Sequence, residues 1–208
     1  MKDLAANSCV DFAAMLASDA PVPGGGGAAA LAGALAASLG AMAGRLSLGR
    51  RKAEEDRQAL EDLVAAEDAL RQRLLTLIDW DAAGFEPLAQ AYGLPRDDPD
   101  RKTKLRSASL HACEAPIEML HSCRETAEVL ERIRVLVSPL LLSDVGCAAV
   151  LCRGALEAAA MNVWVNTKSL GEDPEALMMN RKVRELLDAA LPKLEALAED
   201  VRKTLEIR

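Results

Sequence analysis

The stretch that decides the fold runs from residue 21 to residue 48, PVPGGGGAAALAGALAASLGAMAGRLSL. It opens with Pro21-Val22-Pro23 and the four glycines Gly24 to Gly27, which break any preceding element, and continues as an Ala/Gly-rich helix from about Ala28 to Leu48. From Ala20 to Gly44 no residue is charged, so length and hydropathy alone would admit a membrane span. The proline and glycine opening and the preponderance of alanine, whose burial gives little transfer energy, favour instead a closely packed central helix of a protein without membrane contact.

The flanks of this helix repeat the helical pattern. Upstream, Leu4 to Ser18 spaces Cys9, Phe12, Met15 and Leu16 as one face of a short helix. Downstream, charged residues interleave with Leu and Ala from Ala53 to Ala91, and the pattern stops near Gly93 and Pro95. The spacing then predicts a helix over Lys102–Val137 kinked at Pro116. Pro139 to Ser143 connects it to a helix over Asp144–Leu170, and Gly171 to Pro174 leads to a last helix ending at the C-terminus. No strand-like alternation is present, so the expected fold is all-α: one domain over residues 1–208, a bundle of about six helices around the Ala/Gly-rich one. Aromatic residues are only 2% of the chain, which leaves Ala, Leu, Val and Met to fill the core.

A net charge of −7 and a pI near 5.0 argue against nucleic acid as a partner, since counterion release needs a basic face. Five cysteines, odd in number and without a CxxC pair, read as reduced thiols in a cytoplasmic protein, and the first residues lack the basic and apolar regions of a signal peptide.

The informative positions in such a bundle are polar groups on apolar stripes, because a buried charge is costly unless paired or used. Asp81 interrupts the face Leu74, Leu77, Ile78, Phe85, Leu88; it is either a carboxylate satisfied by a cation from another helix or a desolvated general acid or base. Asp79, two residues away, should be solvated. Asp144, Ala148, Leu151, Ala155, Ala159, Asn162 and Asn166 form a second stripe, whose asparagines offer donors and acceptors either to a heterocyclic ligand or to a neighbouring helix. Ser143 or Asp144 is a natural N-cap. The glycine run presents backbone N–H groups at a positive helix end, yet no GK[ST] follows and no strand precedes it. His111, Glu114, Glu118 and His121 include a Glu-x-x-His spacing that would be half of a carboxylate-bridged metal site; the second half is lacking, so no metal and no cofactor is expected.

These anomalies resemble the formiminotransferase-cyclodeaminase C-terminal domain and its free-standing bacterial relatives, among them methenyltetrahydrofolate cyclohydrolases. The resemblance covers nearly the whole chain. It rests on Pro21-Val22-Pro23-Gly24-Gly25-Gly26, Gly49-Arg50-Arg51-Lys52, Asp81-Ala82-Ala83-Gly84-Phe85, Ala115-Pro116, Ser143-Asp144-Val145-Gly146 and Asn162-Val163-Trp164-Val165-Asn166, in this order. It implies an all-helical fold, a homodimer or higher oligomer, and a tetrahydrofolate derivative as substrate. It also implies Asp81 as the catalytic residue. Pro23, Gly24, Gly25, Gly26, Asp144, Asn162 and Asn166 would hold the substrate, with Arg50, Arg51 and Lys52 for its glutamate tail. Animal enzymes of this kind carry a further formiminotransferase domain, which would here be a separate, transient partner. The competing expectation is a non-enzymatic helical module that binds folate or aids assembly.

Overall fold

The computed structural model describes residues 3–49 and 53–206, and among them the chain is helical with no strand. In chain order the α-helices are α1 (Cys9–Leu16), α2 (Gly25–Leu48), α3 (Glu54–Tyr92), α4 (Arg101–His111), α5 (Glu114–Leu136), α6 (Leu142–Lys168) and α7 (Pro174–Leu205). Two 3-10 turns accompany them, Leu4–Ala6 before α1 and Pro139–Leu141 between α5 and α6.

The quoted stretch forms the centre. α2 lies antiparallel to α3 along a glycine seam: a side chain at Gly33 would meet Leu74 at 3.1 Å and Cys123 at 3.2 Å, and one at Gly40 would meet Leu130 at 2.8 Å and Glu67 at 3.0 Å. Gly26, Gly33 and Gly40 recur every seven residues, and so do Asp81, Leu74 and Glu67 opposite them, which is the periodicity of two helices in left-handed contact. Ala30, Ala36, Ala37, Ala41 and Ala43 have no solvent exposure and let α5 and α6 close on the other sides. α7 seals the bundle through Val183, Leu186, Ala190, Leu194, Leu197 and Val201, at spacings of three and four. Its start is fixed by Asp173, whose carboxylate accepts from the N–H groups of Glu175 and Ala176 and is held by Arg106 Nε at 2.6 Å.

The expected bundle of about six helices is observed with four changes of boundary. The helix expected over Leu4–Ser18 is a 3-10 turn followed by α1, because Asp3 and Ser8 each accept from a backbone N–H three residues on and so start two separate elements. α2 begins at Gly25, three residues earlier than expected, with glycines in its first turn. The helix expected over Lys102–Val137 is two helices, and Pro116 is no kink: it sits in the first turn of α5, where a missing N–H is harmless. The last change is at α6, which is capped at Leu141 rather than at Ser143 or Asp144; Asp144 lies in the first turn, where its charge still complements the helix dipole.

By length and hydropathy α2 and the segment 139–168 would each cross a membrane. Of the apolar window 61% is buried within the bundle for α2 and only 39% for the second, so α6 carries an exposed apolar side.

Candidate functional site

Asp81 sits in α3 directly beneath the start of α2. A side chain placed on Gly26 would land inside the Asp81 carboxylate, so only glycine lets α2 begin here. The backbone N–H of Gly27 donates to that carboxylate. Removal from water pushes the Asp81 pKa up to about 6, and the Gly27 hydrogen bond pulls it back only in part. No cation pairs with Asp81 among the described residues, so the ion-paired reading has no support there.

The rest of the turn is rigid. A side chain on Gly27 would meet Pro23 at 3.2 Å, Ile78 at 3.7 Å and Phe12 at 3.8 Å, so Pro23 is buried against the first turn. Gly24, half-buried, is the N-cap of α2 and supplies no side chain, which leaves the helix-end N–H groups to the Asp81 carboxylate and to solvent. On the other side of this turn stands Asn162 of α6, its amide 3.4 Å from where a Gly25 side chain would begin. Its Nδ2 donates to Ala158 O of its own helix at 2.8 Å. Pro23, Gly24, Gly25, Gly26, Asp81 and Asn162 therefore lie together at this turn.

Two other predicted groups, Asn166 and Asp144, do not. Asn166 donates through Nδ2 to Ala112 O at 3.1 Å, tying α6 to the corner between α4 and α5; this is the interhelical role. Asp144 lies at the opposite end of α6, 18 residues from Asn162 and hence about 27 Å along the helix. Arg50, Arg51 and Lys52 fall outside the described residues. Asp79, expected in solvent, is half-buried and accepts from the Leu4 N–H at 2.8 Å, so the 3-10 turn is anchored beside the site.

The histidine cluster divides between two helices. His111 ends α4 and lies 3.2 Å from Glu114, while Glu118 on α5 pairs with Arg73. Among the described residues no group of three His, Cys, Asp or Glu side chains is placed to hold a metal ion.

One acid escaped the sequence reading. Glu67 is fully buried in the middle of α3, facing Gly40, and neither of its carboxyl oxygens has a hydrogen-bond partner among the described residues. Burial, with the nearby Asp68 charge, raises its pKa to about 9, so it is neutral at pH 7. The signal was available: Glu67 lies fourteen residues before Asp81, on the same side of the helix within about 40°.

Chemically, the site offers a carboxylate that titrates near neutrality, at a positive helix end and beside an amide. That arrangement suits proton transfer at a substrate that carries or develops positive charge. Residues 8–185 match the Formiminotransferase-cyclodeaminase family. The chain is 32% identical over 208 residues to the methenyltetrahydrofolate cyclohydrolase of Methylorubrum extorquens, covering 98% of each chain. It is 27% identical over 184 residues to the formimidoyltransferase-cyclodeaminase of Sus scrofa, covering 86% of this chain and 34% of that one. In three dimensions it resembles the crystal structure of formiminotetrahydrofolate cyclodeaminase from Thermotoga maritima, with a TM-score of 0.83, 25% identity and 96% of each chain covered.

Proposed function

This chain belongs to the formiminotransferase-cyclodeaminase family, and from that membership we propose that it is an enzyme of the folate one-carbon unit, hydrating 5,10-methenyltetrahydrofolate to 10-formyltetrahydrofolate. The full-length match to the Methylorubrum cyclohydrolase favours hydration. A second reading, conversion of 5-formiminotetrahydrofolate to 5,10-methenyltetrahydrofolate with loss of ammonia, is favoured by the structural likeness to the Thermotoga enzyme.

The observation that carries the proposal is Asp81 against the first turn of α2, with its pKa raised to about 6. In hydration, Asp81 takes a proton from water as the oxygen adds to the methenyl carbon. Collapse of the resulting carbinol breaks the bond from that carbon to N5; the formyl group stays on N10, one of the two protons of water ends on N5 and the other is released to solvent. In cyclodeamination, N10 attacks the carbon of the protonated formimino group, Asp81 carries the N10 proton to the departing nitrogen, and ammonia leaves the cationic ring. In both, a carboxylate faces the positive charge of the methenyl form. Asn162 is suited to orient the pterin, and the backbone of Gly24 to Gly26 to lie close against it. We take the working unit to be a homodimer. The five free thiols, three of them in the core, support a reducing cytoplasm as its compartment.

The test is the methenyl absorbance band. Loss of the band faster than in buffer identifies the cyclohydrolase, and its growth from 5-formiminotetrahydrofolate identifies the cyclodeaminase. Asp81→Asn should lower either rate by ~10²–10⁴-fold; a folded Asp81→Asn enzyme of wild-type rate would remove Asp81 from the mechanism.

A further inference from the structure

Asp144 and Asn162 are set five whole turns apart on α6, so they point from the same flank at opposite ends of the bundle. The Asn162 end touches Gly25. At the other end, Ser47, close to the finish of α2, accepts a hydrogen bond from the Ser138 N–H at 2.9 Å, so α2 and α6 are antiparallel. Within one chain Asp144 cannot reach a substrate centred on Asp81.

Between the two ends lies the exposed apolar side. On α2, Leu35, Met42 and Leu46 face solvent, with the half-buried Leu31 and Leu39 completing one stripe. On α6, Val150 is 59% exposed, Met161 63% and Val165 65%, with Leu151 beside them. Two adjacent helices of 24 and 27 residues present a face of roughly 700 Å² by helix dimensions, or about 1,400 Å² summed over two copies, the size of a stable protein interface. Arg153 and Glu157 lie mid-helix on the edge of this face, 3.5 Å apart, which suits a protein partner better than lipid.

We propose that this face packs on a second copy of the chain across a two-fold axis that crosses α2 near Leu35 and α6 near Gly154, and that Asp144 of the partner subunit thereby completes the Asp81 site. The inference rests on the folate reading above. An axis lying in the face and crossing both helices reverses each helix onto its own copy, pairing positions on α6 whose numbers sum to about 306; Asp144 then meets Asn162. The same axis serves α2, because about nine residues separate it from the Gly25–Asn162 contact along either helix. Gly154 sits at the crossing, and a side chain there would meet nothing within 4 Å in its own chain. An axis running along the helices would cover the face equally but leave Asp144 at the wrong end. At the completed site the partner subunit's Asp144 accepts a hydrogen bond from the attacking water, or from N10, while Asp81 takes the proton.

The test is subunit complementation. Asp81→Asn and Asp144→Asn chains carrying different tags are co-expressed, and the heterodimer is purified through both tags. One of its two sites then holds both lesions and the other none. Each parent dimer is expected to fall at least ~20-fold and the heterodimer to recover about half of the wild-type rate. A heterodimer no faster than its parents, or an Asp144→Asn dimer of wild-type rate, overturns the inference. A wild type inert toward both folates would instead bring down the folate reading, and the face is then decided by sedimentation. Gly154→Arg should convert the dimer to a helical monomer. A wild-type monomer, above all one that floats with phosphatidylcholine vesicles, contradicts the proposed face.

Discussion

Asp81 and Glu67 make a natural pair for comparison. Both lie on one side of α3, and each faces a glycine of α2, Gly26 for Asp81 and Gly40 for Glu67. Their surroundings differ in what the backbone can offer. At Gly26 the helix is starting and its N–H groups are free to donate, so Asp81 keeps a carboxylate that titrates near neutrality. At Gly40 the helix is in mid-course, every N–H is committed, and Glu67 stays protonated with neither oxygen paired among the described residues. A helix end can support a usable charge under the same packing that forbids one in the helix middle.

The largest effect that sharpens this contrast is on rate. Asp81→Asn should lose ~10²–10⁴-fold in kcat/KM, whereas Glu67→Gln should stay within about threefold of wild type; steady-state kinetics on the methenyl band would read both. Loss of activity in Glu67→Gln with the fold intact would break the division between the two acids.

Exchanging the glycines comes next. Gly26→Ala forces a methyl group into the Asp81 carboxylate and should cost roughly 10–100-fold in activity through misplacement of that group. Gly40→Ala presses on Leu130 and Glu67 and should cost about 1–3 kcal/mol of stability with little loss of rate in the folded protein. Urea unfolding alongside the assay separates the two outcomes.

A further effect, which leaves the rate untouched, is the pH dependence of stability. The Glu67 pKa is raised from 4.5 to about 9, so between these values the folded state holds a proton that the unfolded chain gives up. Its contribution is complete below pH 4.5 and is lost as pH rises toward 9, with a limiting slope of about 1.4 kcal/mol per pH unit that solvent relaxation will reduce. Glu67→Gln should therefore flatten the decline of wild-type stability between pH 6 and 9, as measured by denaturant midpoints. An unchanged slope would mean that Glu67 ionises in place.

The fold and one side of this contrast could be read from the sequence, and the limits of that reading are instructive. The all-helical bundle followed from periodicity and from the charge-free stretch around α2. Asp81 was visible because a carboxylate interrupts Leu77, Ile78 and Phe85. Glu67 broke a similar stripe but lay among Glu61, Asp62 and Asp68, whose charges hid it. Local spacing could not place Asp144, which depends on which ends of α2 and α6 meet, or Asn166, which depends on the corner between α4 and α5 reaching α6; both are tertiary facts. Pro116 was misread because the same residue that kinks a helix interior is harmless in a first turn, and spacing alone does not locate the helix start.

The central claim is that Asp81 is the acting carboxylate, and the pH profile of kcat/KM tests it most directly. With the uncatalysed rate subtracted, wild type should show an ascending limb near pH 6, retained in Glu67→Gln and absent from the residual activity of Asp81→Asn. A limb that persists in Asp81→Asn, or that vanishes in Glu67→Gln, would contradict the account.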